Sequence, residues 1–210
     1  MIKLKPFEQS PGLCGPASLK MVLDYYGRPV TENELAKVSG ATREKGVSLE
    51  GLVKAAKHFG FHTFYKEESS FDDIRYFIKR DIPVIVSWFS IFGGSYDGHF
   101  SVVIDIDKEK ITLRDPYPEK IFTYAKKRQL SLDDFRKLWF DFEGDFIKSQ
   151  KDLLLRQILV VTPFKEKFPL KSKKRNKRPI KKIEQSKIEI NNQNKEVDEL
   201  TKNKQQINNN

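Results

Sequence analysis

Gln9-Ser10-Pro11-Gly12-Leu13-Cys14-Gly15-Pro16 runs directly into Ala17-Ser18-Leu19-Lys20-Met21-Val22-Leu23-Asp24-Tyr25-Tyr26. Cys14 is the only cysteine among 210 residues. The apolar spacing after it predicts an amphipathic helix from about Cys14 to Tyr26, stopped by Gly27. A thiol at that point faces the positive end of the helix dipole and free backbone N–H groups, which favours the thiolate and suits a nucleophile. Taken alone, a single cysteine at a Pro-Gly-rich helix entry is more often a small buried residue. The rest of the chain decides between the two, because it supplies a suitably placed histidine and aspartate.

Composition bounds the options. Apolar residues make up 38% of the chain, so part of it is expected not to pack. One cysteine excludes an internal disulfide and a cysteine-rich metal site. With His58, His62 and His99 as the only histidines, no zinc site is expected, nor any other cofactor. The N-terminus, Met1-Ile2-Lys3-Leu4-Lys5-Pro6-Phe7-Glu8, carries no long apolar run, so no signal peptide is expected. No uninterrupted apolar run approaches the ~18 residues of a membrane span. The expected location is the cytoplasm, where a lone thiol stays reduced.

Charge divides the chain. Residues 165–210 hold 14 Lys and Arg against 6 Asp and Glu, and residues 1–164 hold 25 against 23. The basic character therefore belongs to the tail, where Lys171-Ser172-Lys173-Lys174-Arg175-Asn176-Lys177-Arg178 begins a near-continuous cationic run. An Asn/Gln/Lys/Glu stretch follows, ending in Asn208-Asn209-Asn210. Such a segment has too little apolar surface to offset its chain entropy and is expected to be disordered. It is either a solubilising tail or a weak electrostatic contact for nucleic acid or an anionic membrane. No aromatic residues are interleaved with the cationic run for base stacking.

Residues 1–164 read as α+β, helices first and strands later. Thr31-x-x-Glu34 forms a capping box for a second helix ending near Gly40. Ser48 caps a third helix running to Phe59, and Phe61 to Lys66 is a short strand. Ser70 opens a fourth helix from Phe71 to Arg80, and Pro83 to Phe89 is an apolar strand. Phe92 to Gly98 reads as a flexible glycine-rich loop. His99 to Asp107 and Lys110 to Asp115 are strands joined by a tight turn at Lys108-Glu109. Ser131-x-x-Asp134 caps a short helix to about Trp139, and Leu155 to Thr162 is a last strand.

If the two strands flanking Lys108-Glu109 pair, His99 and Asp115 stand at the same end of one hairpin, close enough to hydrogen-bond. A carboxylate there fixes the imidazole tautomer and stabilises its charged form. Pro116 ends strand pairing just after Asp115, which suits a side chain exposed at a sheet edge. His58 and His62 flank Gly60 and read as ordinary boundary residues.

At these residues the chain resembles the C39 peptidase family of papain-like cysteine proteases. The resemblance rests on Gln9-x4-Cys14-Gly15-Pro16, on Gly98-His99-Phe100-x-Val102-Val103, on Asp115-Pro116, and on Leu130-Ser131-Leu132-Asp133-Asp134-Phe135-x-x-Leu138-Trp139. It covers about residues 6 to 164. It implies a papain-like fold with the nucleophile on a helix and a C-terminal antiparallel sheet. It further implies Cys14 as nucleophile, His99 as general base then acid, Asp115 as the orienting group, and Gln9 as an oxyanion-hole donor beside the Cys14 backbone N–H. The best-known members cut leader peptides after a double glycine and are fused to a transporter. This sequence shows no membrane spans, no Gly-x-x-x-x-Gly-Lys-Ser/Thr motif and no ATP-binding domain, and so resembles the stand-alone C39-like proteins. A peptide or protein substrate is expected. Another thiol-dependent acyl transfer, such as an amidase or a transglutaminase-like reaction, and a non-catalytic peptide-binding module are the alternatives.

Overall fold

The computed structural model describes residues 1–92, 97–118, 127–142 and 147–165. The centre of the glycine-rich loop and the basic tail beyond residue 165 lie outside the described residues.

Three helices come first: α1 (Cys14–Tyr25), α2 (Glu32–Ser39) and α3 (Leu49–His58). β1 (His62–Lys66), α4 (Phe71–Ile78), β2 (Val84–Ser90), β3 (Asp97–Ile106) and β4 (Lys110–Arg114) follow. The described chain then adds β5 (Lys127–Ser131), α5 (Leu132–Leu138), β6 (Phe140–Phe142), β7 (Leu153–Leu155) and β8 (Ile158–Thr162). The helix starts obey local chemistry. Thr31 and Glu34 form the reciprocal capping box at α2, and the Ser48, Ser70 and Ser131 hydroxyls each accept the backbone N–H three residues on.

Six strands form one antiparallel sheet in the order β1-β8-β2-β3-β4-β5, and β6 and β7 form a separate ribbon. The middle strands are buried on both faces, as the unbroken burial of Val102, Val103 and Ile104 requires. Leu19, Met21, Val22 and Leu23 of α1 bury into this core, and Ile2 and Leu4 of the N-terminal segment join it. Ile2 N–H donates to the Ile104 carbonyl.

Four expectations are corrected. Asp97 and Gly98 belong to β3, where Gly98 pairs with Phe89. The fourth helix ends at Ile78, because Ile82 N–H and Arg80 N–H both turn back to the Phe77 carbonyl. The last strand is broken by Arg156, whose φ of 49° no strand accommodates. The fourth correction concerns Asp115: β5 pairs along β4, so β4 is an interior strand and Asp115 is only 4% exposed instead of standing at a sheet edge.

Candidate active site

Cys14 opens α1, and Leu13 at the N-cap position makes no side-chain capping bond. The first turn therefore keeps backbone N–H groups without a side-chain acceptor. The approach to Cys14 is held tightly. Gly12 has φ +74°, and a Cβ there would overlap the Arg43 carbonyl oxygen. Ser10 N–H donates to Glu32 Oε1 at 2.9 Å, so the first turn of α2 anchors the segment ahead of the cysteine.

His99 enters from β3, opposite Trp88 of β2. The helix and the strand are fastened one turn inside the site, where the Ser18 hydroxyl donates to the Phe100 carbonyl at 3.0 Å. Ser18 lies four residues after Cys14 and Phe100 one after His99, so this buried bond fixes the spacing of the two side chains. The imidazole is buried, in edge contact with the Trp88 and Tyr117 rings. The indole N–H of Trp88 is satisfied by the Ser101 hydroxyl at 3.1 Å.

The hairpin brings His99 and Asp115 together as the sequence implies. Nε2 of His99 lies 2.7 Å from Asp115 Oδ1. Cys14, at the start of α1, is near enough for its charge to act on the same ring. Burial opposes the imidazolium, but the hydrogen bond to Asp115 and the charges of Cys14 and Asp115 outweigh it and raise His99 to about 10. Burial likewise opposes the Asp115 carboxylate, but His99 and Arg128 hold it down at about 2. The two groups thus favour an ion pair.

Gln9 reaches the same place from the N-terminal segment. Its backbone N–H donates to the Pro116 carbonyl at 2.9 Å, tying it to the residue after Asp115. Its side-chain oxygen is buried and has no hydrogen-bond partner among the described residues. His58 ends α3 and His62 starts the edge strand β1, and both are exposed. No cluster of metal-ligating side chains is found among the described residues. No helix there is long and apolar enough to cross a membrane.

Two neighbours escaped the sequence reading. Arg128, on β5, donates from Nε to Asp115 Oδ2 at 2.7 Å. Asp141, on β6, accepts from the Ser87 hydroxyl at 2.6 Å, and its carboxylate packs so closely on Gly98 that a Cβ there would overlap it. Burial raises Asp141 above the ordinary carboxylate range, against the opposing effect of the Ser87 bond. The alternation Trp139-Phe140-Asp141-Phe142 was a usable signal for β6. Lys127-Arg128-Gln129 had none, being polar and short.

An α+β fold with a cysteine at the N-terminus of a packed helix and a histidine on the antiparallel sheet beside it is that of the papain-like cysteine peptidases. The chain belongs to the peptidase C39 family, whose family model matches residues 7–142. It is 31% identical over 126 residues, 60% of its length, to the pediocin PA-1 transport/processing ATP-binding protein PedD of Pediococcus acidilactici. The chain spans 16% of PedD and 64% of a second relative, from Methanothermobacter thermautotrophicus. The peptidase domain of Streptococcus ComA, part of a bifunctional ABC transporter, shares the fold. Its TM-score is 0.55 at 24% identity, over 77% of this chain and 99% of that domain. A double glycine motif protease solved with its leader peptide also shares it, with a TM-score of 0.52 at 20% identity over 77% of this chain and 93% of that one.

Proposed function

We propose that this protein is a cysteine peptidase in which Cys14 is the nucleophile, His99 the general base and acid, Asp115 the orienting carboxylate and Gln9 an oxyanion donor. The observation that carries the reading is the connection of His99 to the buried Asp115 carboxylate at 2.7 Å, with Cys14 acting on the same ring from the start of α1. A pure peptide-binding cleft has no use for that connection.

With Nε2 engaged by Asp115, Nδ1 serves the thiol. Cys14 gives its proton to Nδ1, and the thiolate attacks the scissile carbonyl carbon. The carbonyl oxygen gains negative charge, which the Cys14 backbone N–H and the Gln9 side-chain amide receive. Collapse of the adduct breaks the C–N bond, and His99 passes its proton to the departing amine. The acyl group stays on Sγ as a thioester. His99 then takes a proton from water as the water oxygen attacks that thioester, which releases the carboxylic acid and regenerates the thiol–imidazole pair. Asp115 stays ionised throughout and holds the ring in place.

The substrate we propose is a leader-type peptide cut after Gly-Gly. Support comes from the processing role in PedD's name and from the leader peptide in the solved double glycine protease. The test uses the lone thiol. A peptide aldehyde ending in Gly-Gly is expected to add once per chain by intact mass, at Cys14, and the corresponding leader peptide is expected to be cut to free acid. No adduct and no cleavage overturns the reading. An amide product with an added amine, formed through the same thioester, would turn it into an acyl transferase.

A further inference from the structure

Asp115 is held from more sides than orienting one imidazole requires. Oδ1 faces His99 Nε2 and also accepts the Tyr117 backbone N–H at 3.0 Å. Oδ2 is taken by Arg128 Nε at 2.7 Å, in an ion pair whose carboxylate is buried and whose arginine is half-buried. The Arg128 guanidinium carbon lies 3.9 Å from the centre of the Phe92 ring, so a second contact fixes the same fork. Strand register explains how an edge-strand arginine gets there. Arg128 pairs with Leu113, and Asp115 stands two residues further along, diagonal to it and within reach of a long side chain.

We propose that Arg128 is a positioning residue of the candidate active site, which locks the Oδ2 side of Asp115 and takes up part of its charge so that the His99 proton remains transferable. The inference rests on the peptidase reading above. A buried carboxylate with no other cation would hold the imidazolium at full strength, and an acid that cannot release its proton is a poor catalyst. Arg128 draws on the same charge from the opposite oxygen. Loss of Arg128 therefore strengthens the His99–Asp115 pair, while the Tyr117 N–H still holds Oδ1. The other titratable groups facing His99 are Cys14 from α1, Tyr117 beyond β4 and Asp141 from β6, on which Asp97 of β3 also acts. Trp88 of β2 adds no charge.

The experiment is an NMR titration of the imidazole resonances of the full-length protein carrying Cys14→Ala. Removing the thiolate takes away one of the causes that raise His99 and leaves Asp115 and Arg128 as the charges under test. His58 and His62 serve as internal references. Arg128→Met keeps an apolar stem over Phe92 and removes the charge. It is expected to move the His99 midpoint up by about half a pH unit or more, leaving the two references in place. Arg128→Lys is expected to bring it back toward the parent value. An unmoved or lowered His99 midpoint in folded Arg128→Met overturns the proposal. If that variant does not fold, Arg128→Gln, which keeps a donor for Oδ2, gives the same reading. Asp115→Asn separates the two levels. A midpoint that responds to Asp115 but not to Arg128 sinks this inference alone. A midpoint indifferent to Asp115 removes the peptidase reading beneath it.

Discussion

His62 and His99 each stand near the start of a strand, within two residues of a glycine, and by local sequence there is little to separate them. Their surroundings differ completely. β1 is an edge strand, so His62 is exposed and shares a groove with Lys57 and Lys165. β3 is flanked by β2 and β4, so His99 is buried against Trp88 and meets Asp115 at 2.7 Å. A histidine becomes chemically useful when neighbours on both sides remove water and supply a partner. That depends on the strand's place in the sheet, which no local pattern encodes.

The sharpest way to break this comparison is to remove each ring. His99→Ala is expected to abolish turnover of a Gly-Gly leader peptide, as Cys14→Ala does, while His62→Ala stays within about twofold of the parent rate. Peptide cleavage followed by mass spectrometry measures both. Equal losses would mean that sheet position does not matter and that His99 has no special role.

Asp115→Asn comes next. The variant should fold and lose rate by orders of magnitude, because the imidazole loses the acceptor that orients it. A full rate would show that another group orients His99. Gln9→Ala should cost about 2.7–4 kcal/mol of transition-state stabilisation, or roughly 10²–10³ in kcat with KM little changed. A change confined to KM would place Gln9 in substrate binding instead.

pH sharpens the contrast through stability. His99 is raised from 6.5 to about 10 in the folded protein, so its contribution is complete below pH 6.5 and is lost as pH climbs toward 10. Asp115 runs the other way: its contribution is complete above pH 3.8 and fades as pH falls toward 2. Denaturant titrations of the parent and His99→Gln should therefore show a stability gap that is widest near pH 6 and narrows steadily toward pH 10. A constant gap would contradict the ion pair. The smallest effect is expected at the tail. We propose a domain boundary near residue 164, so a chain ended at Phe164 should melt at nearly the parent temperature and keep its activity. A large drop in Tm would show that the basic segment belongs to the folded unit.

The helical half was legible because its signals are local. Thr31 with Glu34, and Ser48, Ser70 and Ser131, cap the helices they were expected to cap. The meeting of His99 with Asp115 was legible as a shared end of one hairpin, while the one-residue register shift between Val103 and Asp105 that sets their final alignment left no sequence signal. The burial of Asp115 was not. It depends on β5, a polar strand whose pairing with β4 comes from sheet completion and leaves no apolar alternation to read.

The sequence by itself determined the helix caps, the hairpin and the placing of one cysteine at a helix N-terminus, because each follows from contacts within a few residues or across one turn. Tertiary structure alone decided that Ser18 fastens α1 to β3, that Asp141 closes over Gly98 and that Arg128 grips Asp115. These contacts join residues 13 to 82 positions apart. Only the assembled sheet, with its strand order and register, brings such side chains within hydrogen-bonding distance and strips away the water that would otherwise weaken them.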